Sequence, residues 1–185
     1  MEELIQLDQE LFLYLNNLGS ETWDWFWVFI THKFASIPLY AFLLYLLYKN
    51  YGLKPTIVTL ILVAGLITCT DQLANVFKDY FERPRPCKED FIVEGRMLLD
   101  YCGSYGYFSA HAASSMALAF YLGNILKHWY KYAFVSLIFW AAIVGYSRIY
   151  VGKHYPGDVI TGIIIGALLG FGFYKLQQYL VKRFA

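Results

Sequence analysis

The sequence is poor in charge and has no excess of either sign. Charged residues make up 16% of its 185 residues, and 15 Lys and Arg against 14 Asp and Glu leave a formal net charge of +1. Soluble domains typically carry about 25% charged residues. The composition therefore excludes a disordered chain and a nucleic-acid-binding protein with a basic face. Because internal repeats, linkers and a cleavable signal are also absent from the sequence, we expect a single domain over residues 1–185.

Long apolar runs occur where charge is missing. Five runs contain no charged residue, and they cover residues 34–48, 55–70, 112–126, 132–147 and 159–174. With their flanking turns each run approaches the ~20 residues that a membrane-spanning helix needs. None shows the polar stripe of a soluble helix. We therefore predict an all-α fold, a polytopic transmembrane helical bundle of five to six spanning helices.

The N-terminal segment follows a different pattern. Leucines recur on one helical face at Leu4, Leu7, Leu11, Leu15 and Leu18, and polar residues occupy the other face. This predicts an N-terminal amphipathic interfacial helix. The segment 18–31 contains three tryptophans but is short for a membrane span. It could be a short sixth span or an aromatic segment in the membrane interface.

The loops suggest an orientation in the membrane. Residues 49–54, 127–131 and 175–185 together hold seven Lys and Arg and no acid, against eight Lys and Arg elsewhere. The positive-inside rule favours a cytoplasmic location for these loops. We expect the opposite face, in a bacterial plasma (inner) membrane, to point to the periplasm.

The residues with the strongest chemical signal lie at predicted extracytoplasmic helix ends. They are Lys78, Arg83 and Arg85 after the second apolar run, Ser109, Ala110 and His111 before the third, and Arg148, His154 and Asp158 between the fourth and fifth. Arginine presents a planar fork that fits phosphate oxygens. A Ser at a helix N-cap leaves backbone N–H groups pointing towards an anion.

The spacing of His154 and Asp158 adds a reactive group to this set. Asp158 lies four positions after His154, so both side chains would share one face of a first helical turn. A carboxylate on one imidazole nitrogen fixes the tautomer and makes the other nitrogen more basic. Cations, two histidines and an acid together predict phosphoryl transfer.

The three clusters resemble a known family in order and spacing. Lys78-x6-Arg85-Pro86, Ser109-x-His111 and Ser147-Arg148-x5-His154-x3-Asp158 are similar to the three motifs of the type-2 phosphatidic acid phosphatases, the PAP2 family. One departure is Phe108-Ser109-Ala110-His111, where the family usually has Pro-Ser-Gly-His. Ala110 keeps the backbone donor but adds a methyl group near the anion.

The resemblance implies a role for each residue. His154 would form a phosphohistidine, Asp158 would orient it, and His111 would protonate the leaving group and then activate water. Lys78, Arg85, Arg148, Ser109 and the Ala110 backbone would bind the phosphate, with Arg83 as a reserve for Arg85. The resemblance also implies a lipid phosphate substrate held among membrane lipids, with no cofactor and no metal.

Several alternatives stay open. The substrate could be undecaprenyl diphosphate, lipid A 1-phosphate, phosphatidylglycerol phosphate or phosphatidate. The same site could transfer phosphate to an acceptor other than water, or a catalytically silent protein could bind or transport lipids. A metal site formed by His111, His154 and Asp158 is disfavoured because neighbouring cations would repel a metal ion.

Three features outside the motifs carry further expectations. Asp71 lies within the second apolar run's helix, where an ionisable group is functional by default, and we predict that it orients Lys78 or closes a polar network. Cys87 and Cys102 could form a disulfide on the extracytoplasmic face. Gly162, Gly166 and Gly170 favour close helix packing in a monomer, with a homodimer through this face as the alternative.

Overall fold

The chain is helical in a computed structural model that describes residues 2–32 and 34–184. The helices are α1 (Glu2–Asn17), α2 (Glu21–Thr31), α3 (Ile37–Tyr51), α4 (Leu53–Phe81), α5 (Ala110–Leu126), α6 (Ala133–Tyr150) and α7 (Pro156–Phe184). Two short 3-10 helices, Pro86–Lys88 and Asp90–Glu94, lie in the connection between α4 and α5. No strand forms within the described residues. The predicted all-α class is confirmed.

Three helices among the described residues are long and apolar enough to cross a membrane. They are Leu53–Phe81, Ala133–Tyr150 and Pro156–Arg183, and they contain three of the five predicted apolar runs. The other two runs form α3, with 15 residues, and α5, with 17. At about 1.5 Å per residue these helices reach roughly 22 and 26 Å, below the ~30 Å hydrocarbon core. Helix α2, with 11 residues, is too short for a sixth span.

Helix α5 forms the centre of the bundle and packs most extensively against α7. The contact is close because Gly162, Gly166 and Gly170 face the backbone of α5. A Cβ atom at these three positions would overlap the carbonyl oxygens of Ser109, Ala113 and Ala117, respectively. The small-residue stripe therefore serves helix packing within the chain, as favoured from the sequence.

Helix α1 docks on the bundle through a face that combines apolar and polar residues. It contacts α6 and α7 and buries Phe12 and Asn16, whereas Leu4, Leu7 and Leu11 of the predicted apolar face stay exposed. The Asn16 amide donates to the carbonyl oxygens of Arg96, Ile149 and Tyr150 at 2.9–3.0 Å. These bonds attach α1 to the end of α6, beside the predicted site.

The connection between α4 and α5 is held at both ends and in its middle. A disulfide joins Cys87 to Cys102, with their Cα atoms 6.2 Å apart. Arg96 forms an ion pair with Asp24 of α2 at 2.7 Å. The Asn16 side-chain oxygen accepts from the Arg96 backbone N–H at 2.5 Å. The loop is thus fixed against the N-terminal helices, and its Gly106 lies beside His154 and Asp158 at the start of α7.

Candidate active site

Four helix ends meet at one end of the bundle. Helices α4 and α6 end there, and α5 and α7 begin there, because successive helices of the bundle run in alternating directions. This brings together residues from all three sequence clusters: Lys78 on the last turn of α4, Arg85 in the loop, His111 on the first turn of α5, Arg148 near the end of α6, and His154 and Asp158 at the start of α7. The electrostatic field of Lys78, Arg85 and Arg148 reaches both histidines.

His154 and Asp158 form the predicted pair. Nδ1 of His154 lies 3.3 Å from Oδ2 of Asp158, and both side chains are almost fully buried. The Tyr155 backbone N–H donates to the same carboxylate oxygen at 3.1 Å. Because a carboxylate accepts, the imidazole carries its proton on Nδ1 and leaves the Nε2 lone pair free.

The surroundings of Nε2 support the same tautomer. Nη1 of Arg85 lies 3.4 Å from this nitrogen, and a guanidinium can only donate. Burial, reinforced by Arg148 and Arg85, holds the pKa of His154 well below its usual value. The ring is therefore neutral near pH 7, which is the state that a nucleophile requires.

Arg83 is engaged by two carboxylates. Its Nη1 donates to Oδ1 of Asp158 at 2.9 Å and its Nη2 donates to Oδ2 of Asp8 at 2.7 Å. The guanidinium lies 4.1 Å above the Tyr155 ring. Burial opposes its charge, but the two carboxylates raise the pKa of Arg83 overall. Arg83 thus supports Asp158, and its position does not suit the reserve role in phosphate binding expected from the sequence.

Asp8 joins the site from the N-terminal helix, which carries no motif. Besides Arg83, it accepts from the Gly157 backbone N–H at 2.8 Å, so its carboxylate lies at the positive N-terminus of α7. A Cβ at Gly157 would collide with the Asp8 carboxylate. Nothing in the sequence indicated this contact, since 149 residues separate the two partners.

The cations facing His154 keep donors without acceptors. Arg85 donates through Nε to the Tyr105 carbonyl at 2.9 Å, and Arg148 donates through Nη1 to the Thr31 hydroxyl at 2.5 Å. Nε of Arg148 is buried and has no partner among the described residues. Burial, partly offset by Asp158, lowers the pKa of Arg85. Such a cluster favours an anion that supplies the missing acceptors.

Lys153 is a further cation that the sequence analysis missed. Only 4% of it is exposed, and its Nζ lies 5.4 Å above the Tyr101 ring. Within residues 2–32 and 34–184 it forms no hydrogen bond or ion pair through Nζ. Burial, followed by repulsion from Arg148 and Arg85, lowers its pKa to about 8. The one sequence feature that could have indicated Lys153 is that it directly precedes His154.

The start of α5 has the predicted cap. The Ser109 hydroxyl accepts from the Ala112 backbone N–H at 3.4 Å, and the Ser109 N–H donates to the Asp158 carbonyl at 3.0 Å. Ser109 is fully buried, so its hydroxyl serves the helix. The N–H groups of Ala110 and His111 remain as the free donors of the first turn. Gly106 lies beside His154 and Asp158, where a Cβ would approach the Asp158 carboxylate to 3.1 Å.

Residues 52–182 match the PAP2 superfamily. The chain belongs to this superfamily. It is 35% identical over 192 residues to a lipid A 4'-phosphatase of Bacteroides thetaiotaomicron, covering 99% of this chain and 82% of that protein. A lipid A 4'-phosphatase of Porphyromonas gingivalis is 32% identical, covering 99% and 78%.

Two solved structures share the PAP2 architecture. Aquifex aeolicus LpxE superimposes with a TM-score of 0.69 at 26% identity and covers 90% of this chain and 93% of its own. A Bacillus subtilis phosphatidylglycerolphosphate phosphatase gives 0.74 at 19% identity and covers 100% and 89%. The PAP2 chain is an integral membrane protein and a phosphatase of the lipid phosphatase class.

Two expectations concern groups at the margin of this PAP2 site. Within the described parts of the chain, no three His, Cys, Asp or Glu side chains are grouped so that they could hold a metal ion. Asp71 forms no hydrogen bond or ion pair with Lys78 within the same ranges, although the two attract each other electrostatically. Asp71 instead lines a cavity with His111.

Proposed function

We propose that this chain hydrolyses a lipid phosphate through a phosphohistidine on His154, without a metal ion, at the extracytoplasmic face of the membrane. One observation carries the proposal: a buried neutral imidazole, oriented by Asp158, presents Nε2 to a cluster of cations in which Nε of Arg148 has no acceptor among the described residues. A phosphate bound in this cluster would place its phosphorus in front of Nε2.

The reaction has two steps. In the first, Nε2 of His154 forms a bond to phosphorus, the ester P–O bond breaks, and His111, which becomes protonated when the phosphate anion offsets the neighbouring cations, gives its proton to the leaving alcohol. In the second, neutral His111 takes a proton from water, the hydroxide attacks phosphorus, and the P–N bond breaks. Inorganic phosphate leaves, and His154 and His111 return to their starting states.

The position of each donor group determines its role in phosphate binding. Lys78, Arg85 and Arg148 bind the equatorial oxygens, whose charge is largest in the transition state. The N–H groups of Ala110 and His111 add donors at the positive end of α5, while the buried Ser109 hydroxyl keeps that helix start in place. Because these groups are fixed before the substrate arrives, little reorganisation is needed.

Arg83 and Asp8 act one layer further out, as positioning residues. Arg83 holds Asp158 through a 2.9 Å hydrogen bond, and Asp8 holds Arg83 at 2.7 Å. Asp158 in turn orients the nucleophile at 3.3 Å. The chain of contacts limits the freedom of His154 before the phosphate binds.

The relatives favour one substrate class. Proteins named lipid A 4'-phosphatase are 35% and 32% identical over almost the whole chain. We therefore propose a phosphorylated glycolipid of the lipid A type, cleaved at its 4'-phosphate, ahead of undecaprenyl diphosphate, phosphatidylglycerol phosphate and phosphatidate.

The membrane arrangement follows from the helix pattern. We propose one domain over residues 1–185 in which α3 and α5 cross the bilayer together with α4, α6 and α7. The exposed leucines of α1 would lie in the interface, beside the site. Seven Lys and Arg in acid-free loops at the opposite end support a periplasmic site in a bacterial plasma membrane.

Phosphate release from lipid A by the purified protein in detergent micelles tests this function. His154→Ala should lose activity by roughly a thousandfold or more, whereas His128→Ala, which changes an exposed histidine, should match the wild type. Brief mixing with 32P-labelled substrate should label wild-type protein but not His154→Ala. Activity in His154→Ala, or loss of activity with a chelator, would overturn the mechanism.

A further inference from the structure

A cavity of about 350 Å³ opens beneath His111, between α4, α5 and the connection from α2 to α3. Its wall is mostly apolar but carries several polar side chains. Besides His111 these include Ser36, Tyr40, Asp71 and Ser114. Among the described residues, none of the cations around His154 lines this cavity.

The cavity leads from the reacting end of the bundle towards the membrane interior. Its wall includes Leu118, which lies seven residues beyond His111 on α5, or about 10 Å along the helix axis. On α4, which runs in the opposite direction, Asp71 lies the same distance before Lys78. The cavity therefore extends from His111 to about 10 Å below it along α5, and Asp71 lies at a similar depth below Lys78 on α4.

A cavity that touches His111 is suited to hold the leaving group of the reaction. His111 gives its proton to the oxygen that leaves phosphorus, so the alcohol part of a substrate must lie against His111. In a lipid phosphate, the same alcohol part continues into the acyl chains within the bilayer. The cavity beneath His111 meets both conditions: it touches His111, and it extends towards the bilayer interior where the acyl chains lie.

Two polar groups of the cavity, Asp71 and Ser114, keep acceptor oxygens that no other described residue engages. Asp71 accepts no hydrogen bond and forms no ion pair within the described residues. The Ser114 hydroxyl donates to the Ala110 carbonyl at 2.9 Å, so its oxygen remains an acceptor. A carboxylate within a membrane-spanning helix is costly unless donors reach it. Hydroxyl groups on a ligand would supply such donors.

We propose that this cavity is a leaving-group subsite that takes a lipid alcohol carrying further hydroxyl groups, as the sugar unit of a glycolipid does. Asp71 accepts hydrogen bonds from those hydroxyls and contributes to substrate selection. Phosphatidate, whose other glycerol hydroxyls are esterified, offers no such donor. The inference rests on the proposed function, since it uses His111 as the proton donor to the leaving group.

The test compares two substrates in mixed micelles, lipid A and dioleoyl phosphatidate. Asp71→Ala should lower kcat/KM for lipid A about tenfold and leave phosphatidate within about twofold, because only the glycolipid loses a hydrogen bond to a charged group. Tyr40→Phe, which removes one cavity hydroxyl, should lower the lipid A value by a smaller factor. Thr68→Ala changes an exposed residue of the same helix and should alter neither. Equal losses on both substrates, or no loss on either, would overturn the subsite.

A binding measurement separates this inference from the proposed function. The dephosphorylated glycolipid should bind the wild type about tenfold more tightly than Asp71→Ala, whether or not the wild type releases phosphate. If the wild type is inactive but this difference is present, the proposed function fails and the subsite stands. If Asp71→Ala binds the dephosphorylated glycolipid as the wild type does, the subsite is wrong.

Discussion

The N-terminal helices and the stretch from Lys78 to Asp158 supply opposite kinds of groups to one site. The later stretch provides the cations and the histidines, and Nε of Arg148 is buried there without an acceptor among the described residues. The N-terminal helices provide acceptors instead: Asp8 for Arg83 and Thr31 for Arg148. Donors left free can bind phosphate, whereas donors already engaged hold the site together. The comparison shows that a residue's role depends on whether the fold has supplied its partner.

The neighbouring arginines Arg83 and Arg85 make the same point at close range. Both belong to an Arg-Pro pair, and a single residue, Pro84, separates them. Arg83 meets two carboxylates, and Arg85 meets a carbonyl and the Nε2 of His154. If the N-terminal carboxylate were removed, the distinction between the two arginines should weaken.

Asp8→Asn should have the largest effect among the changes that separate these two regions. We expect kcat to fall about tenfold with KM nearly unchanged, because Asp8 holds Arg83 and Asp158 but lies outside the phosphate cluster. Steady-state kinetics on a lipid phosphate would show the split. Glu3→Gln, an exposed acid on the same helix, serves as the control. A raised KM at unchanged kcat would mean that Asp8 affects phosphate binding instead.

A change at Lys153 tests the other region of this comparison, the cations that face the phosphate. Lys153→Met should raise KM about fivefold near pH 7 and change kcat little, since it removes one cation from the anion site. The groups that face it are Arg148 on α6 and Arg85, Asp100 and Tyr101 in the loop.

The pH dependence of KM gives a second readout for Lys153. With a pKa of about 8, the ammonium is present below that pH and is lost as the pH rises through it. The wild-type KM should therefore rise above pH 8, while a phosphate monoester remains a dianion throughout. Lys153→Arg should move this rise to higher pH and Lys153→Met should abolish it. A rise that persists in Lys153→Met would assign the titration to another group.

The disulfide should have the smallest effect on activity. Replacing both Cys87 and Cys102 by serine should lower the free energy of unfolding by about 3 kcal/mol in the chain-entropy model for a 15-residue loop. We expect kcat to change less than twofold, because Arg96 still attaches the loop to Asp24 and Asn16. Thermal unfolding with and without reductant measures the stability, and Cys69→Ser is the matched control. An unchanged Tm in the double variant would contradict this expectation.

Much of the site could be predicted from local spacing. The i,i+4 interval placed His154 beside Asp158 although His154 precedes the helix, since the chain enters α7 at Pro156. The cap at Ser109 followed from residue type and position. Lys153 was overlooked because a single lysine at a membrane interface has no spacing to distinguish it.

The sequence predicted which segments are helical better than it predicted how long each helix is. The five apolar runs all became helices, but only three reach a spanning length within the described residues. Composition marks which segments avoid water, while the exact ends depend on where tertiary contacts supply caps and loops. Helix α5 illustrates this dependence on tertiary contacts, because it is almost entirely buried between its neighbours.

The sequence by itself determined the membrane class, the helical fold, the family motifs and the reactive pair, because each depends on composition or on spacing within a few turns. The tertiary structure alone decided that Arg83 supports Asp158, that Asp8 completes this support and that Asp71 lines a cavity beneath His111. These contacts join residues up to 149 positions apart. No local period encodes such a distance, so only the packing of the helices brings the partners within hydrogen-bond range.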